Sequence, residues 1–532
     1  MRGLLLIAVI SYSLLAAQEG QITYQRILNA TAKEPGNWLT YSGNYAGHRY
    51  SPLDQINENN VARLRPVWSY QVNSLQRFET TPIVDGSVMY ISEPPSNVTA
   101  LDIRTGRPLW RYRRVLGDGV RVCCGQVNRG VAVYGGLVYV GTVDAHLVAL
   151  DAKTGAVRWD VTVADYTQGH SITVAPLAVK DKIILGMAGG EYGVRGFLDA
   201  YDAKTGKRAW RFWTVPGSPK DPEAKTWAGD SWKYGAGATW VTGSYDPDTN
   251  LLYWGTGNPG PDWNGDVRAG DNLYSDCLIA VDADTGQLKW YFQFTPHDVH
   301  DWDATEVPIL VDAEVRGEKR KLVLFANRNA FYYVLDRITG KFVAGKAYAK
   351  QTWASGLDDN GRPILIPGMS PTLAGNKVWP SVSGSNNWYS PTYSPKTDLV
   401  YVATRESGST YFIGDAEYKA GEQFNGGGFR NIPDEEEYGA VRAFRPTTGA
   451  MVWEHRLFTP PWAGLLSTAG NLVFGSTPEG QAFALNATTG QPLWRYQAGG
   501  QGRSNPISYL HEGKQYIAVA IGSALHIFGL DQ

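Results

Sequence analysis

Ala149-Leu-Asp151-Ala-Lys-Thr154-Gly155-Ala-Val-Arg-Trp159 is one copy of a pattern that returns along the whole chain. In general form it reads Ala-x-[Asp/Asn/Arg]-x-x-Thr-Gly-x-x-x-Trp. Further copies run from Ala100 to Trp110, Ala200 to Trp210, Ala280 to Trp290, Ala443 to Trp453 and Ala484 to Trp494. A worn copy keeps Asp336, Thr339 and Gly340 without the tryptophan. Asp-x-x-Thr-Gly is turn chemistry: the acidic side chain caps the turn and glycine takes the positive φ. Apolar runs flank each copy, such as Leu137 to Val140 before this one and Val161 to Val163 after it. Each unit is thus a set of short strands with an indole placed to pack on its neighbour. Self-similarity at roughly 40–50 residues, with about four short strands per unit, reads as an all-β protein of the β-propeller type. The step from Trp210 to Trp290 is wider, and a second excursion spans about Glu406 to Glu437. Both are expected to build the mouth of the channel rather than separate domains.

The composition agrees. Gly at 60, Tyr at 30 and Trp at 19 suit tight turns and aromatic packing between sheets. With 49 Lys+Arg against 51 Asp+Glu there is no polybasic footprint for nucleic acid or an anionic membrane. Met1-Arg-Gly, the apolar run Leu4 to Ala17 and then Gln18 read as a secretory signal peptide, 1–17, ahead of one domain, 18–532. No cysteine lies near that cleavage point, so no lipid anchor is expected, and the periplasm is the expected address.

Four segments carry polar residues that the repeat does not need. They are Gly189-Gly190-Glu191-Tyr-Gly, Gly255-Thr-Gly-Asn258-Pro, His297-Asp-Val-His300-Asp301-Trp-Asp303 and Asn327-Arg328-Asn329. Each follows or lies near the end of a strand-like run. Glu, Asn and Asp are hard oxygen donors, suited to a Ca2+-like ion rather than zinc. His297 and His300 have metal-pair spacing, but among acidic loop residues they read as structural hydrogen-bonding groups. Adjacent Cys123 and Cys124 stand in a chain whose other cysteine is Cys277. They read either as a compact platform beneath a flat ligand or as two buried thiols.

These motifs, with Trp38-Leu-Thr-Tyr41 and Arg49-Tyr-Ser-Pro-Leu53, resemble the pyrroloquinoline quinone (PQQ)-dependent alcohol dehydrogenases over nearly all of the mature chain. The resemblance implies an eight-bladed propeller with tryptophan-docking repeats. It implies that Cys123 and Cys124 form a vicinal disulfide on one face of PQQ and that Trp240 stacks on the other. Glu191 and Asn258 match metal ligands, Asp301 the catalytic aspartate, which also approaches the metal, and Arg328 the arginine beside the quinone carbonyls. Glu79, Arg129, Thr173, Gly189, Gly190, Asn387 and Trp462 match positions around the cofactor. Asp303 resembles the extra carboxylate of lanthanide-dependent members, with Ca2+ as the alternative ion.

The implied reaction oxidises a primary alcohol to an aldehyde, with Asp301 as base and the ion as Lewis acid. No Cys-x-x-Cys-His haem site occurs in the chain, so a separate soluble cytochrome c is the expected electron acceptor. Two other readings stay open, a PQQ-dependent sugar or polyol dehydrogenase and a non-catalytic binding propeller. A homodimer is among the assemblies open to it.

Overall fold

The computed structural model describes residues 20–433 and 435–530. The expected signal segment, 1–17, lies outside them. Among the described residues short strands dominate, and the α-helix Tyr24–Lys33 precedes them. Thr23 caps it by accepting the N–H of Arg26 at 3.3 Å. Arg26 then pairs with Glu34 and with Asp85 of the first sheet, while Ile27 and Ala30 are buried.

Seven four-stranded sheets and one five-stranded sheet follow one another along the chain. The first is the antiparallel meander Ile83–Asp85, Val88–Glu93, Asn97–Asp102 and Pro108–Tyr112. The next six lie within 132–162, 177–213, 244–293, 309–347, 392–457 and 466–497, the last joined by Tyr50–Ser51 as its fifth strand. The eighth joins the two ends of the chain: Leu64–Gln71 pairs antiparallel with Ala524–Leu530, from Leu64 opposite Leu530 to Gln71 opposite Ala524. In each early sheet the middle strands are buried on both faces, as at Leu147 to Leu150, and read as continuous apolar runs. The fourth strand alternates with solvent, as in Val157–Thr162.

The repeat turns join sheet to sheet. Asp102 Oδ1 accepts the backbone N–H groups of Arg104 and Thr105, and Gly106 sits at φ +70°. That glycine lies on the ring of Trp68, from the sheet before it, where a Cβ would collide. The same contact recurs with Gly155 on Trp110, Gly206 on Trp159, Gly286 on Trp210, Gly340 on Trp290 and Gly490 on Trp453. The indole N–H groups of Trp68, Trp110, Trp210, Trp290, Trp453 and Trp494 reach carbonyls of the following unit at 2.9–3.2 Å.

Where the worn copy has no tryptophan, Tyr332 takes its place. Its ring lies against Gly449 and its hydroxyl donates to the carbonyl of Pro446 at 3.0 Å. Tyr332 is fully buried, so Tyr332→Phe should leave that contact incomplete and cost about 1–2 kcal/mol. The shift of the urea midpoint against the parent protein measures it.

The segment 38–53 crosses the sheets as a belt. Trp38 bridges Val84, and Tyr45, Ala46, His48 and Arg49 accept backbone N–H groups from Tyr245, Leu310, Tyr393 and Ser467. Arg49 is fully buried, with its guanidinium 5.0 Å from the Tyr41 ring and donating to the Tyr41 carbonyl. Strands of five sheets are tied to one segment in this way.

Candidate active site

Glu191 sits in a single 3-10 turn, Gly190–Tyr192, just after the strand Lys182–Gly186. Asn258 follows Leu251–Gly255, and Arg328 follows Glu318–Ala326. Asp301 and Asp303 lie in the connection between Leu288–Gln293 and Ile309–Val315. Gly189 has φ +124°, and a Cβ there would run into the carbonyl oxygen of Gly169. A Cβ on Gly190 would lie 3.7 Å from Asn258 Oδ1, an ordinary contact distance, so the Glu191 turn lies directly against the Asn258 loop.

The four polar segments meet. Asp303 Oδ1 accepts the backbone N–H of Asn258 at 2.7 Å. Asp303 Oδ2 accepts Arg328 Nη1 at 2.5 Å and the indole N–H of Trp240 at 3.2 Å. Arg328 Nη2 lies 3.8 Å from Asp301 Oδ2 and donates to the carbonyls of Asp301 and Val382. Asn258 Nδ2 donates to Asp262 Oδ1 at 2.8 Å. Asp301 holds a left-handed backbone, φ +62°, unusual for a non-glycine residue, and its side chain is 20 % exposed.

Charge is unbalanced here. Burial pushes the Asp301 carboxyl well above the usual range; Arg328 opposes the shift, and Asp303, Asp262 and Glu191 add to it. Asp262 is raised for the same reasons, burial first and then Glu191. Glu191 and Asp303 are raised mainly by burial. Burial alone would lower the Arg328 guanidinium, but Asp303, Asp301, Glu306 and Asp298 outweigh it and hold it above its usual value. A group of carboxyls around one arginine favours either added protons or a bound cation. Asp262 Oδ2 and both oxygens of Glu306 are buried without a hydrogen-bond partner. The donors are carboxylate and amide oxygens, which fits a hard, highly charged ion.

Beside this cluster is a flat, half-apolar wall. The Arg129 guanidinium lies 4.8 Å from the Trp240 ring and 4.7 Å from that of Trp388. It pairs with Glu79 at 3.0 Å and donates to Thr173 Oγ1 at 2.8 Å. Burial raises the Glu79 carboxyl, against the pull of Arg129, Arg503 and Arg77. Asn387 uses its amide locally, donating to the Ser383 carbonyl and accepting from the Trp388 N–H. Trp462 lies under the guanidinium of Arg405 at 4.2 Å.

The Cys123 and Cys124 sulfurs stand 2.9 Å apart, in contact with each other. The contact with Cys124, then burial and the nearby Glu191 carboxyl, push the Cys123 thiol well up. Ligand atoms of Cys123, Cys124 and Glu191 all lie within 4.8 Å of one another, so the pair does border the cluster.

Both oxygens of Asp303 accept hydrogen bonds within the cluster. Any ion near it would share it with Arg328. His297 and His300 bond to the carbonyls of Gly270 and Met369, as structural groups do. Cys277 is fully buried.

Asp262, Trp388, Arg405 and Arg503 are site neighbours that sequence reading passes over. Only Asp262 carried a local signal, since Asn258-Pro-Gly-Pro-Asp262 is a turn that can fold its carboxylate back on its own amide. The insertion 406–437 covers the cluster: the Phe424 N–H donates to the Glu191 carbonyl, and that of Trp263 to the Asn425 carbonyl. Tyr418 stacks on Tyr234 at 3.8 Å.

Comparison with known proteins follows this geometry. The family model described as "Glucose/ethanol/alcohol dehydrogenase, beta-propeller domain" matches residues 38–347, and one for outer membrane protein assembly factor BamB matches 437–532. The chain is 42% identical to the quinoprotein alcohol dehydrogenase PedH of Pseudomonas putida, over 97% of this chain and 91% of that protein. It is 39% identical to the lanthanide-dependent methanol dehydrogenase of Methylacidiphilum fumariolicum, over 92% and 85%. Among solved structures, a europium-containing methanol dehydrogenase superposes with TM-score 0.89 at 35% identity, covering 94% of this chain and all (100%) of that one. The quinohemoprotein alcohol dehydrogenase of Comamonas testosteroni gives 0.92 at 35% identity, covering 97% and 84%.

Proposed function

The chain belongs to the PQQ-dependent alcohol dehydrogenase family, and from that membership we propose that it oxidises a primary alcohol to the aldehyde in the periplasm, passing electrons to a soluble cytochrome c. The observation that carries this reading is the buried set of Glu191, Asn258, Asp301 and Asp303 around Arg328, beside the wall of Trp240 and the Cys123–Cys124 pair. When bound, PQQ supplies the hydride acceptor, and a lanthanide or calcium ion supplies a Lewis acid at its carbonyl.

The residues divide the work. Asp301 is the general base that takes the hydroxyl proton of the alcohol: it is the member of the set with a partly exposed side chain, and it makes no strong ion pair. An adjacent cation would return its raised carboxyl to the ionised form that a base requires. Arg328, held by Asp303 and two backbone carbonyls, would offer a fixed cation to the quinone oxygens. Glu191, Asn258 and Asp301 are the ion's ligands, with Asp303 adding charge that favours a trivalent lanthanide over Ca2+. Trp240 and the cysteine pair flank the cofactor ring. Glu79, Arg129, Thr173, Gly189, Gly190, Asn387 and Trp462 line its edges.

We infer that the eight sheets are the blades of one closed propeller, docked through the tryptophans and Tyr332, within a single domain over 18–532. Among the described residues no helix is long and apolar enough to cross a membrane.

Substrate class is tested on the full chain loaded with PQQ and a metal ion, using an artificial dye as acceptor. Turnover of primary alcohols, with sugars and polyols slow, is the expected result. Preference for an aldose would move the reading to a sugar dehydrogenase.

A further inference from the structure

Four arginines, Arg77, Arg129, Arg405 and Arg503, gather at the edge of the site where little negative charge answers them. Glu79 is the buried carboxylate there, and Arg129 already pairs with it at 3.0 Å. Arg405 is 7 % exposed, yet its hydrogen bonds run to the carbonyls of Pro460 and Pro461, and its Nε is buried with no partner. Arg503 bonds to the Gln501 amide oxygen. Both guanidinium groups lie on the indole of Trp462, at 4.2 and 5.2 Å. Arg77 donates to the carbonyl of Cys124, which ties this edge to the cysteine pair. The Arg405 N–H donates to Ser385, whose own N–H donates to the Arg328 carbonyl, which ties it to the catalytic arginine.

Such crowding is costly in the absence of anions. Burial brings Arg503 down to about 10, and Arg77 and Arg405 press it the same way, with Glu79 opposing. Arg405 is lowered by burial, helped by Arg328 and opposed by Tyr389 and the exposed Glu437. Buried guanidinium groups are normally matched by carboxylates in charge-assisted, often paired hydrogen bonds. The protein itself supplies too few.

We propose that Arg405 and Arg503, assisted by Arg77, are the counter-charges for carboxylates of bound PQQ, with Trp462 as the spacer that holds the two guanidinium groups in place. This rests on the reading of the chain as a PQQ enzyme and extends it to residues beyond Glu79, Arg129 and Thr173. PQQ is a tricarboxylic acid, and an excess of fixed cations at one end of the site would orient it end to end as well as bind it.

The test is equilibrium titration of the metal-loaded apo-protein with PQQ, followed by quenching of tryptophan fluorescence. PQQ trimethyl ester, which lacks the charges, is titrated in parallel. Arg503→Gln and Arg405→Gln are each expected to weaken PQQ about tenfold or more, as loss of one charge-assisted contact implies. Arg503→Lys should keep most of the affinity. The ester should bind parent and variants alike. Variants that bind PQQ as tightly as the parent would overturn the assignment, as would equal losses for PQQ and its ester, which would mark a purely structural role. Should Arg405→Gln fail to fold, the less buried Arg503→Gln carries the test alone. A parent protein that binds no PQQ would overturn the underlying functional reading, and this assignment with it.

Discussion

Asp301→Asn is expected to lower turnover about 10³-fold, within the range a positioned general base contributes. Asparagine keeps the shape of the side chain and can still offer an oxygen towards the ion, but it cannot take a proton from an alcohol. The backbone at Asp301 is held at φ +62°, a region asparagine tolerates better than most residues, so the loop should survive the change. Arg328 keeps its contacts to Asp303 and to the carbonyls of residues 301 and 382. Bound PQQ, measured by its absorbance after gel filtration, should therefore match the parent protein. Steady-state kinetics beside that absorbance separate lost chemistry from lost cofactor. Activity near the parent level would remove Asp301 from its role.

Asp303→Asn should have the next largest effect, and a selective one. The carboxylate gives two services: charge for an ion, and the 2.5 Å pair to Arg328. Asparagine retains an acceptor for the Asn258 N–H and shape for the Trp240 contact, but its charge is gone. Removing one partner of a buried ion pair typically costs about 3–5 kcal/mol, part of which Asp301, 3.8 Å from Arg328, can recover. Lanthanide affinity should fall about 100-fold, equivalent to about 2.7 kcal/mol, and Ca2+ affinity by less, because the attraction scales with ionic charge. Competition between La3+ and Ca2+ for the apo-protein measures both. Equal losses would assign Asp303 to Arg328 alone.

The parts of the fold that could be read from sequence are those written locally. Asp102, Thr105 and Gly106 make their turn among themselves, so each copy announces itself within a few residues. Trp68 was not legible as a docking residue, because its turn belongs to the next sheet and its strand pairs with the far end of the chain. Tyr332 escaped for another reason: it replaces the missing indole from a neighbouring strand, twelve positions before Ala344, where the pattern would put tryptophan. In the site, Glu191, Asn258 and Arg328 stood out because they follow strand-like runs, whereas their match to ligand and quinone positions came from the family resemblance. Asp262 is brought in by a proline turn that could have pointed elsewhere. Arg405 lies on the strand Leu399–Glu406 and Arg503 in the loop after Pro492–Gln497, yet both guanidinium groups lie on Trp462, a relation that no spacing encodes. The position of the cysteine pair beside Glu191 was not legible in sequence, since the two lie on separate segments that only the fold brings together.

The central claim is that the carboxylate cluster around Arg328 holds a cation that makes PQQ an oxidant of alcohols. The most direct measurement is dye-linked oxidation of a primary alcohol by purified apo-protein given PQQ with La3+, with Ca2+, or with neither. The account predicts turnover with La3+, weaker turnover with Ca2+ and none without a metal. Absence of turnover in all three, with no PQQ retained after gel filtration, would contradict it.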